Sequence, residues 1–208
     1  MFERRMHKSV LVGAALALSL CASSAVCGQS PNEPEPVPAT RLEKFLSRKS
    51  LLVIKETHFI GAVPGLQGSE VRIEALALSA PGERERVYGV RLVRPVTRKE
   101  AGEQSGIIDF DELDSLQGAL DHMLRAVSEA KAPDQSAQES VLPSVEFAFT
   151  TRGGVRAALV QTGRQFTCQL QVSRAAQDGE VTFGVGALGR LRSLIAEARE
   201  KLADLGAK

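Results

Sequence analysis

The sequence predicts an α+β fold with two antiparallel four-stranded sheets, each followed by a long amphipathic helix. Three observations lead to this prediction. Short segments alternate apolar and polar residues, turns containing Gly or Pro separate these segments, and two stretches repeat apolar residues at helical spacing. The segments follow the order ββββα twice, so we expect one domain with an internal pseudo-repeat.

The first half of the chain contains a short helix, four strands and a long helix. Residues 41–50 (RLEKFLSRKS) are typical of a short helix. Alternating segments broken by Pro and Gly predict strands at residues 51–63, 69–80, 86–96 and 105–110. Residues 111–129 then form a helix whose apolar face consists of Leu113, Leu116, Leu120, Met123, Leu124 and Val127.

The second half repeats this order after a polar linker at residues 130–143. Strands are expected at residues 144–150, 155–161, 165–173 and 180–183, with a hairpin signal at residues 152–154 (RGG). The final helix, residues 187–205, has an apolar face made of Leu188, Leu191, Leu194, Ile195, Ala198 and Leu202.

A shift of 75 positions aligns the two halves. Repeat one spans residues about 50–129 and repeat two residues 144–205. Eight apolar positions then coincide, namely Ile108 with Phe183, Phe110 with Val185, Leu113 with Leu188, Leu116 with Leu191, Ala119 with Leu194, Leu120 with Ile195, Met123 with Ala198 and Val127 with Leu202.

The N-terminal segment has the layout of a secretory signal peptide. A basic start, a run of 12 apolar residues and a small, polar stretch make up residues 1–28. The apolar run is shorter than the roughly 20 residues of a spanning helix, so no transmembrane segment is expected after cleavage. Cleavage is expected after Gly28 or Ala25. Lipidation at Cys21 or Cys27 and an uncleaved membrane anchor are the alternatives. Residues 29–40 form a disordered Pro-rich tether, and residues 41–208 the folded domain.

Composition excludes several classes of function. Cleavage would leave 23 basic and 24 acidic residues, so the chain has no global basic field for a nucleic acid. Charge is uneven, since residues 100–146 contain 2 basic and 11 acidic side chains. Cys168 would be the single remaining cysteine, and its alternation with apolar neighbours predicts a buried, inert thiol.

Residues 184–189 (GVGALG) match the G-x-G-x-x-G spacing of a dinucleotide-binding loop. That fingerprint needs a parallel strand after its helix and an acidic residue for the ribose, and no such strand follows here. We therefore expect the glycines to allow a tight strand-to-helix turn. No cofactor is predicted.

In the first repeat the same position reads DFDELD, residues 109–114. The spacing fails as an EF-hand, because its positions 5, 6 and 12 are Leu113, Asp114 and Leu120. We expect Asp109 or Asp111 to cap the following helix, and Glu112 and Asp114 to complement its positive end. The second repeat has glycines here, so these four carboxylates are also candidates to bind a cation or a basic partner.

A tandem ββββα chain resembles the Whirly proteins and the related single-domain transcriptional coactivators that bind single-stranded DNA. The resemblance covers residues 50–205 in topology and is closest at EVTFGVGALGRLRSLIAEAREKL, residues 180–202. It implies nucleic-acid contact on a sheet face, through basic and aromatic residues. Here that face presents a polar row, Gln165, Thr167, Gln169 and Gln171, with arginines nearby at positions 91, 94, 152, 156 and 164.

We expect a periplasmic or secreted, non-enzymatic interaction module that binds an unknown envelope or protein partner. Its contacts would come from the polar row or from the acidic helix start. The alternatives are a Whirly-like single-stranded nucleic-acid binder and an enzyme with an unrecognised site. No catalytic residue or metal site is predicted, because nucleophile and metal-ligand motifs are lacking and His58 and His122 have no second ligand at a suitable spacing.

Overall fold

Two sheets with the same strand order make up the β-structure. The computed structural model describes residues 37–95, 103–130, 144–173 and 180–208. The first sheet contains β1 (Ile54–Pro64), β2 (Glu70–Ser79), β3 (Arg86–Arg94) and β4 (Gln104–Asp109), and the second β5 (Ser144–Thr150), β6 (Arg156–Thr162), β7 (Gln165–Gln171) and β8 (Glu180–Phe183). All neighbouring strands are antiparallel. The predicted α+β class and its two four-stranded sheets are therefore confirmed.

The helices are α1 (Arg41–Leu46), α2 (Leu113–Ala130) and α3 (Gly186–Asp204). A 3₁₀ turn at Phe110–Glu112 leads from β4 into α2, so Phe110 lies outside the strand to which its sequence pattern assigned it. Helix α1 is shorter than the predicted 41–50, since it ends at a cap residue, Ser47.

A reciprocal capping box fixes the start of α1. The Thr40 hydroxyl accepts a hydrogen bond from the Glu43 backbone amide at 3.0 Å, and the Glu43 carboxylate accepts one from the Thr40 amide at 2.9 Å. Thr40 is fully buried, so the last residue of the predicted tether belongs to the folded domain. The predicted signal peptide, the tether up to residue 36, the linker from residue 131 and the turn at residues 176–179 lie outside the described residues.

The two long helices pack against the sheet of the opposite half of the chain. Helix α3 follows the second sheet in sequence but lies across β1, β2 and β3 of the first. Helix α2 follows the first sheet but contacts β5 of the second, and it also packs along α3. Gly61 of β1 permits this approach, because a Cβ there would lie 2.6 Å from the Leu194 side chain of α3. The halves thus share one hydrophobic core.

Side-chain burial follows the helical spacing read from the sequence. All six apolar residues predicted on the face of α3 are buried. In α2, five of the six are buried and Leu124 is partly buried against the same core. Two ion pairs join the helices on the solvent side, Arg192 with Asp121 at 3.0 Å and Arg199 with Asp114 at 2.6 Å.

A second, smaller apolar cluster lies on the other face of the first sheet. Helix α1 covers it through Leu42 and Phe45, which pack on Leu76, Leu78 and Val87. This packing buries both faces of β2 at one end of the strand, and it positions α1 beside the ends of β3 and β4. No helix among the described residues is both long and apolar enough to span a bilayer.

Candidate functional site

The acidic residues after β4 support the structure around them. Asp109 is almost fully buried, and its two carboxylate oxygens accept hydrogen bonds from the backbone amides of Arg41 at 2.7 Å and Leu42 at 3.2 Å. It makes no side-chain cap to the turn that it precedes. Of the two residues expected to cap the helix after β4, Asp109 therefore does not do so, and Asp111 pairs with Arg152. The sheet brings the end of β4 beside the start of α1, and Asp109 caps that helix instead.

The Arg152 guanidinium forms ion pairs with three of the four predicted acidic residues. Arg152 lies in the hairpin between β5 and β6, and it pairs with Asp111, with Asp109 at 3.4 Å and with Glu112 at 3.4 Å. The Arg152 backbone amide also donates to Glu112 at 2.7 Å. The carboxylates thus join the two halves of the chain through a hairpin that the sequence predicted at residues 152–154.

The fourth carboxylate, Asp114, pairs with Arg199 of α3. Within the described ranges, no group of three or more His, Cys, Asp or Glu side chains is arranged to hold a metal ion. Burial raises the pKa of Asp109, against the effect of the two backbone amides and the Arg152 charge, which lower it.

A cleft of about 630 Å³ opens next to Asp109. It lies between α1, the start of β3, the turn after β4 and the residues that follow α3. Its apolar walls come from Phe45, Val87, Tyr88 and Phe110. Its size falls within the range of roughly 300–1,000 Å³ that is common for ligand sites in proteins.

Basic side chains outnumber acidic ones around this cleft. Among the described residues, the cations that line it are Arg41, Lys44, Arg48, Arg86 and Lys208, and the carboxylates are Glu85, Asp109 and Asp111. All three carboxylates are already engaged, Glu85 with Arg48 at 2.8 Å and the two aspartates with Arg152. In the part of the chain that the structure describes, no ion pair involves the side chains of Arg41, Lys44 or Lys208. The cleft therefore has an excess of unpaired positive charge.

Two contacts hold the walls of the cleft in place. The Tyr88 hydroxyl donates a hydrogen bond to the Leu205 carbonyl oxygen at 3.0 Å, which joins β3 to the end of α3. The Arg48 guanidinium lies 4.5 Å from the ring centre of Phe45, in a cation–π contact. The first contact holds the end of α3 against β3, and the second, with the Asp109 cap, holds the α1 wall.

Of the residues that line the cleft, the sequence predicted Asp109 and Asp111 as site residues and missed the basic and aromatic ones. Arg41, Lys44 and Arg48 recur at a spacing of three and four residues, which is a signal for one helical face, although Arg48 lies beyond the end of α1. Arg86, Tyr88 and Lys208 come from distant positions, and no local pattern connects them with α1.

The predicted polar row lies elsewhere, on the face of β7 opposite the core. Gln165 is exposed, and Thr167, Gln169 and Gln171 are half-buried. None of the four lines the cleft. Arg156 is directly opposite Gln171 in the sheet and pairs with Glu146. The polar row of β7 and the acidic residues after β4, the two groups of predicted interaction residues, thus lie at different places in the structure.

Other residues of chemical interest have ordinary partners. His58 contacts Glu56 at 2.8 Å, and His122 contacts Arg125 at 3.1 Å. His122 does not line the cleft with Asp109 and Asp111. Cys168 is buried, and burial raises its pKa to about 11.

The glycine motif lies at the junction of β8 and α3. Gly184, Gly186 and Gly189 do not have left-handed backbone, and a Cβ at any of the three would meet no atom within 4 Å. The expectation that they allow a tight turn is wrong, because this junction has a backbone that any residue could adopt.

Comparisons of the chain with protein-family models, curated proteins and solved structures give no match. The function must therefore be inferred from the site itself.

Proposed function

We propose that the protein is an exported, non-enzymatic binding module that holds a carboxylate-rich segment of a partner protein in the α1 cleft. The observation that carries this proposal is the unpaired positive charge of Arg41 and Lys44 beside a cavity whose own carboxylates are already engaged. An anionic segment would supply the missing partners, and arginine is well suited to bidentate contact with carboxylates.

The shape of the cleft supports a polypeptide ligand. Tyr88 and Phe110, which are partly exposed, offer apolar contact beside the cations. Interfaces of this kind combine buried aromatic anchors with a charged, solvent-accessible rim. Because the cations lie at the rim, we expect them to govern association rate and salt dependence.

Export is the second part of the proposal, and the signal-like residues 1–28 support it. The protein would act in the periplasm or the secreted space, with an envelope or protein partner. Intact-mass measurement on the native protein, with cell fractionation, tests this part. Cleavage after Gly28 or Ala25 is expected, whereas a cytoplasmic protein that retains residues 1–28 would contradict export.

We further propose that the two halves descend from one duplicated ββββα unit. The shift of 75 residues places Ile108 of β4 on Phe183 of β8, and Leu113 of α2 on Leu188 of α3. The same shift places Asp109 on Gly184. The second repeat has a glycine where the first has the carboxylate that caps α1. We therefore expect the cleft to belong to the first repeat alone.

Peptide titration tests the binding site. Hexaglutamate labelled with a fluorophore should bind with an affinity that falls as salt rises, and hexaglutamine should bind far more weakly. Replacing Arg41 and Lys44 by Gln should weaken binding about tenfold, since each exposed ion pair contributes roughly 0.2–1 kcal/mol.

The matched control removes two positive charges elsewhere, by Arg125→Gln with Arg164→Gln. These side chains lie on α2 and in the β6–β7 turn, and neither lines the cleft. Binding should be nearly unchanged in this control. An equal loss in both double variants would mean that net charge, and not the cleft, attracts the peptide.

A Whirly-like nucleic-acid binder is the second candidate. The tandem ββββα order and the position of Arg156 beside the polar row favour it. The test is salt-sensitive binding of oligothymidylate. Binding that Arg156→Gln with Arg164→Gln weakens, and that Arg41→Gln with Lys44→Gln leaves unchanged, would support the nucleic-acid binder in place of the peptide cleft.

A further inference from the structure

Strand β1 is an edge strand with exposed apolar residues. It lies at the end of the first sheet, and among the strands that the structure describes it pairs with β2 alone. Phe59 is 65% exposed and Ile54 is 51% exposed. Lys55 and Thr57 are exposed between them. An edge with free backbone groups and apolar side chains is a template for strand addition.

We propose that a second copy of the chain pairs with this edge, antiparallel, in a register centred on Thr57. Residues 55–59 of each copy would form the ladder and join the two first sheets into one continuous sheet of eight strands. The two-fold axis would be perpendicular to the sheet, because residues of the same face are then opposite each other across the junction.

Charge complementarity selects this register. With Thr57 opposite Thr57, Glu56 of one copy faces His58 of the other, and Lys55 faces the ring of Phe59. The His58 ring and the Glu56 carboxylate, which contact each other at 2.8 Å within one chain, could exchange this hydrogen bond across the junction. The Lys55–Phe59 cation–aromatic pairs are new and favourable. A register centred on Glu56 would place two carboxylates face to face, and one centred on His58 would leave Lys55 opposite Gly61.

The backbone limits the length of the ladder. The β1–β2 register shifts between Phe59 and Gly61, which marks a bulge at Ile60. A bulge interrupts regular pairing, so the ladder ends at Phe59. Five residues in each copy remain. The two-fold axis repeats the Lys55–Phe59 and Glu56–His58 pairs, and the Thr57–Thr57 pair lies on the axis.

Sedimentation equilibrium of the purified protein over a range of concentrations tests this proposal. The wild type should be in a monomer–dimer equilibrium. Phe59→Lys, which places Lys opposite Lys55 twice in the dimer, should raise the dimer Kd at least about tenfold. Since Phe59 is largely exposed, thermal unfolding monitored by circular dichroism should show a monomer fold close to that of the wild type.

Two further variants make the register testable. Lys55→Glu with Phe59→Lys restores opposite charges across the junction and should return the Kd to within a few-fold of the wild type. Leu66 is also apolar and 51% exposed, but it lies outside the ladder, so Leu66→Lys should leave the dimer intact. A wild type that remains monomeric, a dimer that Phe59→Lys does not weaken, or a failure of the double variant to recover would each overturn the proposal.

Discussion

The carboxylate of Asp109 caps a helix that begins 68 residues earlier in the chain. Its Oδ2 atom accepts a hydrogen bond from the Arg41 backbone amide at 2.7 Å. This bond fixes the first turn of α1, and with it the Arg41 and Lys44 side chains that line the cleft. Asp109 therefore shapes the proposed binding site without being free to bind a ligand itself.

Asp109→Asn should destabilise the protein. The amide group keeps the size of the side chain but turns one acceptor into a donor, so one buried backbone amide of α1 loses its partner. We expect a loss of about 1–3 kcal/mol in the free energy of unfolding, measured by urea denaturation at neutral pH. Asp114→Asn removes a more exposed carboxylate and should cost less than about 1 kcal/mol.

The effect of Asp109 on stability should depend on pH. Burial raises its pKa above the ordinary 3.8, so the folded state binds this proton more tightly than the unfolded state does. The stability of the wild type relative to Asp109→Asn should thus rise as pH falls through the raised pKa, and level off below 3.8. Urea denaturation of both proteins over a series of pH values measures this, and a difference that grows toward higher pH would contradict it.

Gly106 in β4 should tolerate no side chain. A Cβ there would overlap the Val172 carbonyl oxygen and lie 2.6 Å from the Val155 side chain. Gly106→Ala should cost about 3 kcal/mol, because backbone must move to make room. Gly118 of α2 has no atom within 4 Å of such a Cβ, so Gly118→Ala should stabilise the protein by about 0.5–1 kcal/mol. Thermal unfolding compares the melting temperature of each variant with that of the wild type.

Neither half of the chain should fold alone. A fragment of residues 37–130 lacks α3, which covers β1 to β3, and a fragment of residues 144–208 leaves α3 without that sheet. Both would expose much of the shared core. Circular dichroism should show no cooperative unfolding for either fragment, and recovered structure when they are mixed. Cooperative unfolding of one fragment by itself would be inconsistent with the crossed packing.

The sequence predicted those features that depend on local periodicity. Leu188 through Leu202 repeat at helical spacing, and the helix buries that face. In β2, Val71 and Ile73 alternate with charged residues and indicate one buried face. Leu76 and Leu78 are apolar on the opposite face, but the sequence does not show that α1 covers them. Alternation of apolar and polar residues identifies one buried face of a strand. The element that buries the other face comes from elsewhere in the chain.

The candidate site was predicted only in part for the same reason. DFDELD drew attention to Asp109, yet its partner is the backbone of Arg41, and a backbone amide has no sequence signature. The cleft likewise combines Arg41, Arg86 and Lys208, which only tertiary structure brings together. Such long-range contacts can be predicted only from the arrangement of the sheets and helices, and not from the pattern of one segment.

Nuclear magnetic resonance mapping of the hexaglutamate complex tests the proposed site most directly. We expect the backbone amide signals of residues 41–48, 86–88 and 110–111 to shift in a saturable, salt-sensitive manner, since these residues line or support the cleft. Shifts confined to residues 165–171 of β7, with the α1 signals unchanged, would contradict the cleft as the binding site.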